Sequence, residues 1–275
     1  ENGNFNSQGA YILPLAEPNH FPIRQPNFVD PQISAKSFLL YDVKNGKVVL
    51  ARNPKQPLPI ASLTKLLTAI IVIENIPPEE VITIRSDSRN VDQEGADFYL
   101  GEKVYAKDLL GAMLVKSSND AAVALAKAVE AKTGGHFPEM MNRKAYEIGM
   151  VNSSFFDPSG LNDDGYSTAE DLLRLVQYSK RYDRIWNLLG IRSWEMHSVD
   201  GQLAHSFTST NKLFDTLLDI YGGKTGYTEG ALGCIILEVR GRENQGPFLA
   251  IILGSPARFE DALKLIEWGQ SAVRW

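Results

Sequence analysis

One short stretch of the chain places a hydroxyl group beside an amine. Ser62 precedes Lys65 by three positions, and an apolar run follows at residues 66–74. Residues three apart lie on one face of a helix, with Cβ atoms about 5–6 Å apart, so the two side chains can meet. The helix N-terminus adds a positive dipole beside the serine. A hydroxyl becomes a strong nucleophile when a base takes its proton, and a lysine held neutral can act as that base.

Two further short motifs carry polar groups that could complete such a site. Ser117 and Asn119 lie at the predicted break between two apolar helices, and a Lys-Thr-Gly run at residues 224–226 meets a predicted strand. Each motif is weak alone, because short patterns of this kind arise by chance. Taken singly, they are typical of a helix N-cap at Ser62, an interhelical turn at Ser117 and a strand edge at 224–226.

The elements that would position these motifs predict an α+β fold. The residue patterns predict strands at 37–42, 48–52, 81–85, 103–105, 193–197, 235–239 and 248–253, and helices beginning at Ser62 and at 108–115, 121–132, 137–148, 169–181 and 258–273. A mostly helical lobe at about 86–190 would be inserted between two parts of an antiparallel α/β lobe, at about 36–85 and 191–275. Together they would form one catalytic domain over residues 36–275. Five prolines within residues 1–35 predict an extended N-terminal arm.

The composition excludes several classes of function. The 275 residues are 44% hydrophobic with a net charge of -5, and they contain no basic stripe, which argues against nucleic-acid binding. The single cysteine, Cys234, excludes an internal disulfide and a cysteine-based zinc site, and its apolar surroundings predict a buried thiol. His20, His136, His197 and His205 lack metal-ligand spacing, so we expect neither metal nor cofactor. No run reaches the roughly 18 apolar residues of a membrane span.

In this order and context, the three motifs resemble those of class A β-lactamases and penicillin-binding proteins. The stretches around them are similar to serine-type D-alanyl-D-alanine carboxypeptidases, the low-molecular-weight penicillin-binding proteins of the S11 peptidase family. The resemblance covers nearly everything from about residue 35 to 275, with the matching stretches at 61–68, 118–122, 141–145, 157–162, 167–172 and 223–228. It implies a β-lactamase/transpeptidase-like fold, with an antiparallel sheet flanked by helices.

The resemblance implies a role for each residue of the first two motifs. Ser62 would attack the carbonyl between two D-alanines and form an acyl-enzyme, with Lys65 as general base. The pKa of Lys65 must then fall well below its free value of about 10.4. Burial and a second cation, Lys224, are both expected to lower it. Ser117 would relay the proton to the leaving amine, while Asn119 would anchor the lysines and bind the substrate backbone.

The third motif would bind the substrate. Lys224 and Thr225 suit its terminal carboxylate, with Thr228 as a further candidate, and Gly226 would let an extended peptide approach the strand edge. The resemblance implies an oxyanion hole formed by the backbone N–H groups of Ser62 and Tyr227.

Two departures from related families shape these expectations. Many carboxypeptidases of this group have an arginine shortly before the third motif, but residues 208–213 contain none. This leaves terminal versus internal cleavage open. The glutamate that activates the deacylating water of class A β-lactamases is missing, and the stretch at 157–162 favours a peptidase instead. The acidic pair Asp163 and Asp164 is most simply a solvated loop.

The resemblance therefore implies a D,D-carboxypeptidase that trims peptidoglycan stem peptides and is acylated by β-lactams. It would act outside the cytoplasmic membrane, as a periplasmic, cell-wall-associated or secreted enzyme. Family members often continue into a β-rich domain and an amphipathic membrane anchor, which we expect to be absent from this chain. The alternatives are a D,D-endopeptidase that cuts cross-links, a non-hydrolytic β-lactam sensor and an unrelated α+β binding domain.

Overall fold

A computed structural model describes residues 23–25, 27–88, 97–242 and 245–274, so most of the predicted arm lies outside the described residues. The strands are β1 (Ile23–Arg24), β2 (Ser37–Asp42), β3 (Lys47–Arg52), β4 (Leu58–Pro59), β5 (Val81–Thr83), β6 (Lys103–Tyr105), β7 (Tyr166–Ser167), β8 (Ser193–His197), β9 (Ala204–Thr208), β10 (Ile220–Thr228), β11 (Leu232–Val239), β12 (Phe248–Ser255) and β13 (Val273–Arg274). The α-helices are α1 (Lys65–Asn75), α2 (Ala106–Val115), α3 (Asn119–Thr133), α4 (Phe137–Glu147), α5 (Ala169–Ser179), α6 (Asp183–Leu189) and α7 (Arg258–Ala272).

The central sheet is antiparallel, with strand order β10-β11-β12-β2-β3. Strand β12 is buried at every position, because helices cover both faces of the sheet. Alternate side chains point to opposite faces of a strand. Ile236 and Ile251 accordingly join the core around α1, whereas Ile235 and Ile252 join the core against α7. Strand β10 is the edge strand that carries the third motif.

Helix α1 is the centre of the helical layer. Its residues 65–72 are all buried, and it contacts α2, α3, α4 and α5. A helix that is apolar around its whole circumference is a core helix. The start of α1 is therefore held rigidly from several sides.

The hairpin formed by β8 and β9 differs from the predicted arrangement. It forms a two-stranded sheet of its own and packs on α2 instead of extending the central sheet. A Cβ on Gly111 of α2 would come within 2.3 Å of the Trp194 ring, so only a glycine permits this contact. We propose that the helical lobe extends through Thr208, beyond its predicted limit at residue 190.

The described part of the predicted arm is extended and is hydrogen-bonded to α7 and to β13. Strand β1 pairs with β13, and the Trp268 indole N–H donates to the Val29 carbonyl at 2.9 Å. The Ser34 N–H and hydroxyl both donate to the Asp261 carboxylate at 2.8 Å.

Cys234 lies in β11 and is fully buried, as its apolar surroundings predict. Its Sγ contacts the Pro59 carbonyl at 3.7 Å. Burial raises the pKa of this thiol to about 11.

Candidate active site

The nucleophile candidate lies in a tight turn at the start of α1. Residues Ala61–Thr64 form a 3₁₀ helix that leads directly into α1 at Lys65, whereas the sequence predicted an α-helix from Ser62 onward. Ala61 has a φ of 48°, in the left-handed region that non-glycine residues rarely occupy. Lys65 Nζ donates to Ser62 Oγ at 2.8 Å, so the two side chains meet as their spacing predicts.

The Lys65 amine is enclosed by acceptors. It also donates to Asn119 Oδ1 at 2.6 Å and to the Ser159 carbonyl at 2.7 Å, and its side chain is fully buried. Burial lowers the pKa of Lys65 to about 7, although the negative charges of Asp157 and Asp97 oppose this shift. An amine with this pKa is partly neutral near pH 7.

The loop at 157–162 supplies one of those acceptors. The Asp157 carboxylate accepts hydrogen bonds from the Ser159 N–H and hydroxyl and from the Gly160 N–H. Burial opposes ionisation of Asp157, but these hydrogen bonds keep its pKa below the usual value. Gly160 has a φ of 80°, and a Cβ there would lie 2.0 Å from the Ala61 carbonyl oxygen. The loop is therefore locked against the turn that carries Ser62. Sequence reasoning identified this stretch as family-like but missed its contact with the lysine.

The second motif lies between α2 and α3. Ser118 caps α3 by accepting the Ala121 N–H at 3.1 Å, which directs Asn119 toward Lys65. Ser117 has a φ of 68°, a strained conformation for a residue with a side chain. Such strain is common at functional sites.

The third motif brings a second buried lysine to the cleft. Lys224 Nζ donates to Ser117 Oγ at 2.7 Å and to the Thr225 carbonyl at 2.8 Å. Burial, followed by repulsion from Lys65 and from Arg258, lowers the pKa of Lys224 well below its usual value. Burial is the main cause of the lowered pKa at both lysines, and two cations this close also repel each other.

The predicted residues thus form two hydrogen-bonded groups. One contains Ser62, Lys65 and Asn119, and the other contains Ser117 and residues 224–225. Strand β10 contacts the turn that carries Ser62, and the two amines are close enough to repel each other, so the two groups form one site, here called the cleft, between β10 and the helices.

Gly226 allows β10 to pass directly over the nucleophile. A Cβ at this position would lie 2.9 Å from Ser62 N and 3.1 Å from the Ala61 Cβ. The backbone of Gly226 and Tyr227 is therefore adjacent to the Ser62 N–H. The Tyr227 side chain is exposed, with the Arg258 guanidinium 5.7 Å from its ring centroid.

Thr225 has a partner that sequence reasoning missed. Its hydroxyl lies 2.6 Å from that of Thr210, which comes from the segment that lacks an arginine. A hydroxyl pair therefore occupies the cleft wall beside Lys224.

Thr228 and Asp163 form a contact that the sequence does not predict. The Thr228 hydroxyl donates to the Asp163 carboxylate, so Asp163 is not merely a solvated loop residue. A carboxylate at this point also makes Thr228 a poor partner for a substrate carboxylate, because like charges repel.

Metal-binding clusters and membrane-spanning helices are both absent from the described residues. In the part of the chain that the structure covers, no three His, Cys, Asp or Glu side chains are grouped so that they could hold a metal ion. Within the same residues, no helix combines the length and the apolar character that crossing a bilayer requires.

Comparison with known proteins agrees with this geometry. The profile of the D-alanyl-D-alanine carboxypeptidase family matches residues 24–257. The chain is 31% identical over 245 residues to a D-alanyl-D-alanine endopeptidase of Pseudomonas aeruginosa, which covers 86% of this chain and 77% of that protein. It is also 31% identical over 260 residues to D-alanyl-D-alanine carboxypeptidase DacD of Escherichia coli, which covers 87% of this chain and 64% of that protein.

A solved structure supports the same assignment. Penicillin-binding protein D2 from Listeria monocytogenes, in its ampicillin-bound form, matches with a TM-score of 0.72 and 29% identity over 89% of this chain and 99% of that one. The predicted α+β, transpeptidase-like fold is thus confirmed. The chain belongs to the D-alanyl-D-alanine carboxypeptidase family, the serine peptidases of family S11.

Proposed function

We propose that this serine D,D-peptidase removes the terminal D-alanine from peptidoglycan stem peptides through an acyl-enzyme at Ser62. The observation that carries the proposal is the buried Lys65 amine, with a pKa lowered to about 7, in hydrogen-bond contact with Ser62 Oγ. A base must be within hydrogen-bond reach of the proton that it removes and have a pKa near the working pH. Lys65 meets both conditions.

The contacts of Lys65 support the direction of proton transfer. A neutral amine has two N–H donors and one lone pair. The carbonyl oxygens of Asn119 and Ser159 can accept both donors, which leaves the lone pair for the Ser62 hydroxyl proton. Lys65 would take this proton while Ser62 Oγ forms its bond to the substrate carbonyl carbon.

The tetrahedral intermediate then needs stabilisation and a proton donor. The N–H groups of Ser62 and Tyr227 would hold the oxyanion, and oxyanion donors of this kind contribute about 3–4 kcal/mol each. When the peptide bond breaks, the leaving D-alanine nitrogen takes a proton. Ser117 is suited to donate its hydroxyl proton to this nitrogen while it takes one from the Lys224 ammonium, to which it is hydrogen-bonded. Water then hydrolyses the ester: the Lys65 ammonium returns its proton to Ser62 Oγ, and the proton that the water loses restores the one on Lys224.

Lys224 and Thr225 would bind the terminal carboxylate. Burial disfavours the charged form of Lys224, so a substrate anion would restore that charge by pairing with it. β-Lactams present a reactive amide and a carboxylate in one molecule, and the ampicillin-bound relative supports acylation by this class of compound. Because peptidoglycan lies outside the cytoplasmic membrane, the enzyme would act there.

A second candidate is cleavage of peptidoglycan cross-links by the same residues. Two observations favour it. The relative from P. aeruginosa is named an endopeptidase. Thr210, the hydroxyl partner of Thr225, lies in the segment where many carboxypeptidases have an arginine. A site with less positive charge depends less on a free terminal carboxylate.

Acylation by benzylpenicillin tests the role of Ser62, and turnover of a peptide substrate tests which bond the enzyme cleaves. We expect intact-mass measurement to show one stable adduct on the wild type and none on Ser62→Ala. An equal adduct on both proteins would remove Ser62 from the nucleophile role. With a peptide that ends in D-Ala-D-Ala, free D-alanine supports the carboxypeptidase. Cleavage of cross-linked dimers without release of D-alanine from the peptide would establish the endopeptidase instead. An adduct without turnover of either substrate would indicate the sensor.

A further inference from the structure

The turn that follows β10 is built around one carboxylate. Thr228 Oγ1 donates to Asp163 Oδ1 and accepts the Ala231 N–H at 3.0 Å. A Cβ on Gly230 would lie 2.5 Å from Asp163 Oδ2, so the turn passes directly against this side chain. Asp163 is nevertheless exposed. Its charge is therefore held in a fixed position beside the end of β10 and still faces solvent.

The Asp163 carboxylate lacks an ion-pair partner in the part of the chain that the structure describes. Among the described residues, no lysine, arginine or histidine forms an ion pair with Asp163. The neighbouring acidic side chains, Asp164 and Glu229, are exposed as well. Three exposed carboxylates therefore lie at this end of β10, where the Arg258 guanidinium lies 5.7 Å from the Tyr227 ring, whereas Lys224 lies toward the opposite end.

The proposed function determines which part of a substrate reaches this end. If the terminal carboxylate lies at Lys224 and Thr225, and the scissile carbonyl at the Ser62 and Tyr227 N–H groups, the peptide runs antiparallel to β10. Strand β10 is the edge strand of its sheet, so it can accept an added peptide strand. Residues of an extended chain advance by about 3.3 Å each. The residue before D-Ala-D-Ala therefore arrives at Thr228.

We propose that Asp163, positioned by Thr228, recognises the side chain of the residue that precedes D-Ala-D-Ala and selects one with a free ammonium group. This inference rests on the proposed function, because the peptide direction follows from it. The substrate class is a stem peptide with a diamino acid at this position, whose side-chain amine is unacylated. Thr228 then helps to bind the part of the substrate that precedes the scissile bond, and it does not bind the terminal carboxylate.

A pair of peptides that differ in one acetyl group tests the proposal. Nα-acetyl-Lys-D-Ala-D-Ala has a free side-chain amine, and the Nα,Nε-diacetyl peptide has none. For the wild type we expect kcat/KM, measured as D-alanine release, to be about fivefold higher for the free amine, the size expected of an exposed charge pair. The ratio should fall toward one in Asp163→Asn, which keeps an oxygen to accept the Thr228 hydroxyl. It should also shrink near 1 M salt, where screening extends only about 3 Å from a charge.

Asp164→Asn is the matched control, because it removes a neighbouring exposed carboxylate and should keep the wild-type ratio. A wild-type ratio near one, or an unchanged ratio in Asp163→Asn, would overturn the proposal. Formation of the penicillin adduct is measured on every variant. Failure of the wild type to form this adduct, or to release D-alanine from both peptides, would instead overturn the proposed function.

Discussion

The two walls of the cleft each present a buried lysine, yet they hold it differently. On the helical wall, Lys65 donates to three acceptors, one of them the Ser62 hydroxyl, and lies near two carboxylates. On the strand wall, Lys224 has two acceptors, and its pKa is lowered by burial and then by the cations Lys65 and Arg258. The first environment suits an amine that exchanges a proton at neutral pH. The second suits an amine whose charge is completed by an arriving anion. Both residues are lysines, so their different roles follow from the groups that surround each amine.

The largest expected effect comes from exchanging each lysine for arginine. Arginine keeps the charge but cannot be deprotonated in a protein. We therefore expect Lys65→Arg to slow penicillin acylation by at least about 10³-fold, as for loss of a general base. Lys224→Arg should slow it by about 10- to 100-fold, because it perturbs a charged contact. Stopped-flow or mass-based acylation rates measure both. Equal decreases in the acylation rate of the two variants would contradict the assignment of different roles to Lys65 and Lys224.

The pH dependence of acylation sharpens the same comparison. The neutral fraction of Lys65 grows as pH rises through its pKa of about 7. We expect the acylation rate constant to increase about tenfold per pH unit below that value and to level off above it. The rates should be measured with a β-lactam whose own ionisation does not change over this range. A rate that falls as pH rises from 5 to 7 would contradict a neutral Lys65 as the base.

The smallest expected effect concerns the hydroxyl pair beside Lys224. Thr210→Val removes the hydroxyl that lies 2.6 Å from Thr225 Oγ1 and keeps the side-chain shape. Loss of one hydrogen bond costs about 1 kcal/mol, so kcat/KM for a D-Ala-D-Ala peptide should fall about fivefold. Thr210→Ser keeps the hydroxyl and should retain most of the activity. A Val variant as active as the wild type would show that Thr225 needs no such support.

Much of the fold was predictable because its signals are local. Apolar periodicity and turn residues predict most of the strands of the central sheet and the long helices. The sequence predicts the strand at 193–197 as part of the sheet lobe and does not predict β9, because nothing in these residues reveals that Trp194 packs on Gly111. The short helix α6 was missed.

The contacts of the candidate site likewise fall into a local one that the sequence predicts and tertiary ones that it does not. The spacing of Ser62 and Lys65 predicts their contact, since one turn of helix determines it. The Ser159 carbonyl, Thr210 and Asp163 were beyond prediction because they reach the cleft through tertiary contacts from distant segments. The distribution of charge between Lys65 and Lys224 likewise depends on burial and on neighbours that a motif does not specify.

Cys234 gives the natural chain a probe of its own. Cys234 is the cross-strand neighbour of Gly226, the residue that lies over Ser62, and its thiol is fully buried with a raised pKa. A buried cysteine of this kind is inert toward alkylating reagents until the structure around it opens. The rate at which such a reagent modifies Cys234 in the native protein therefore reports how often the sheet opens around β10 and β11. This measurement needs no substitution in the chain.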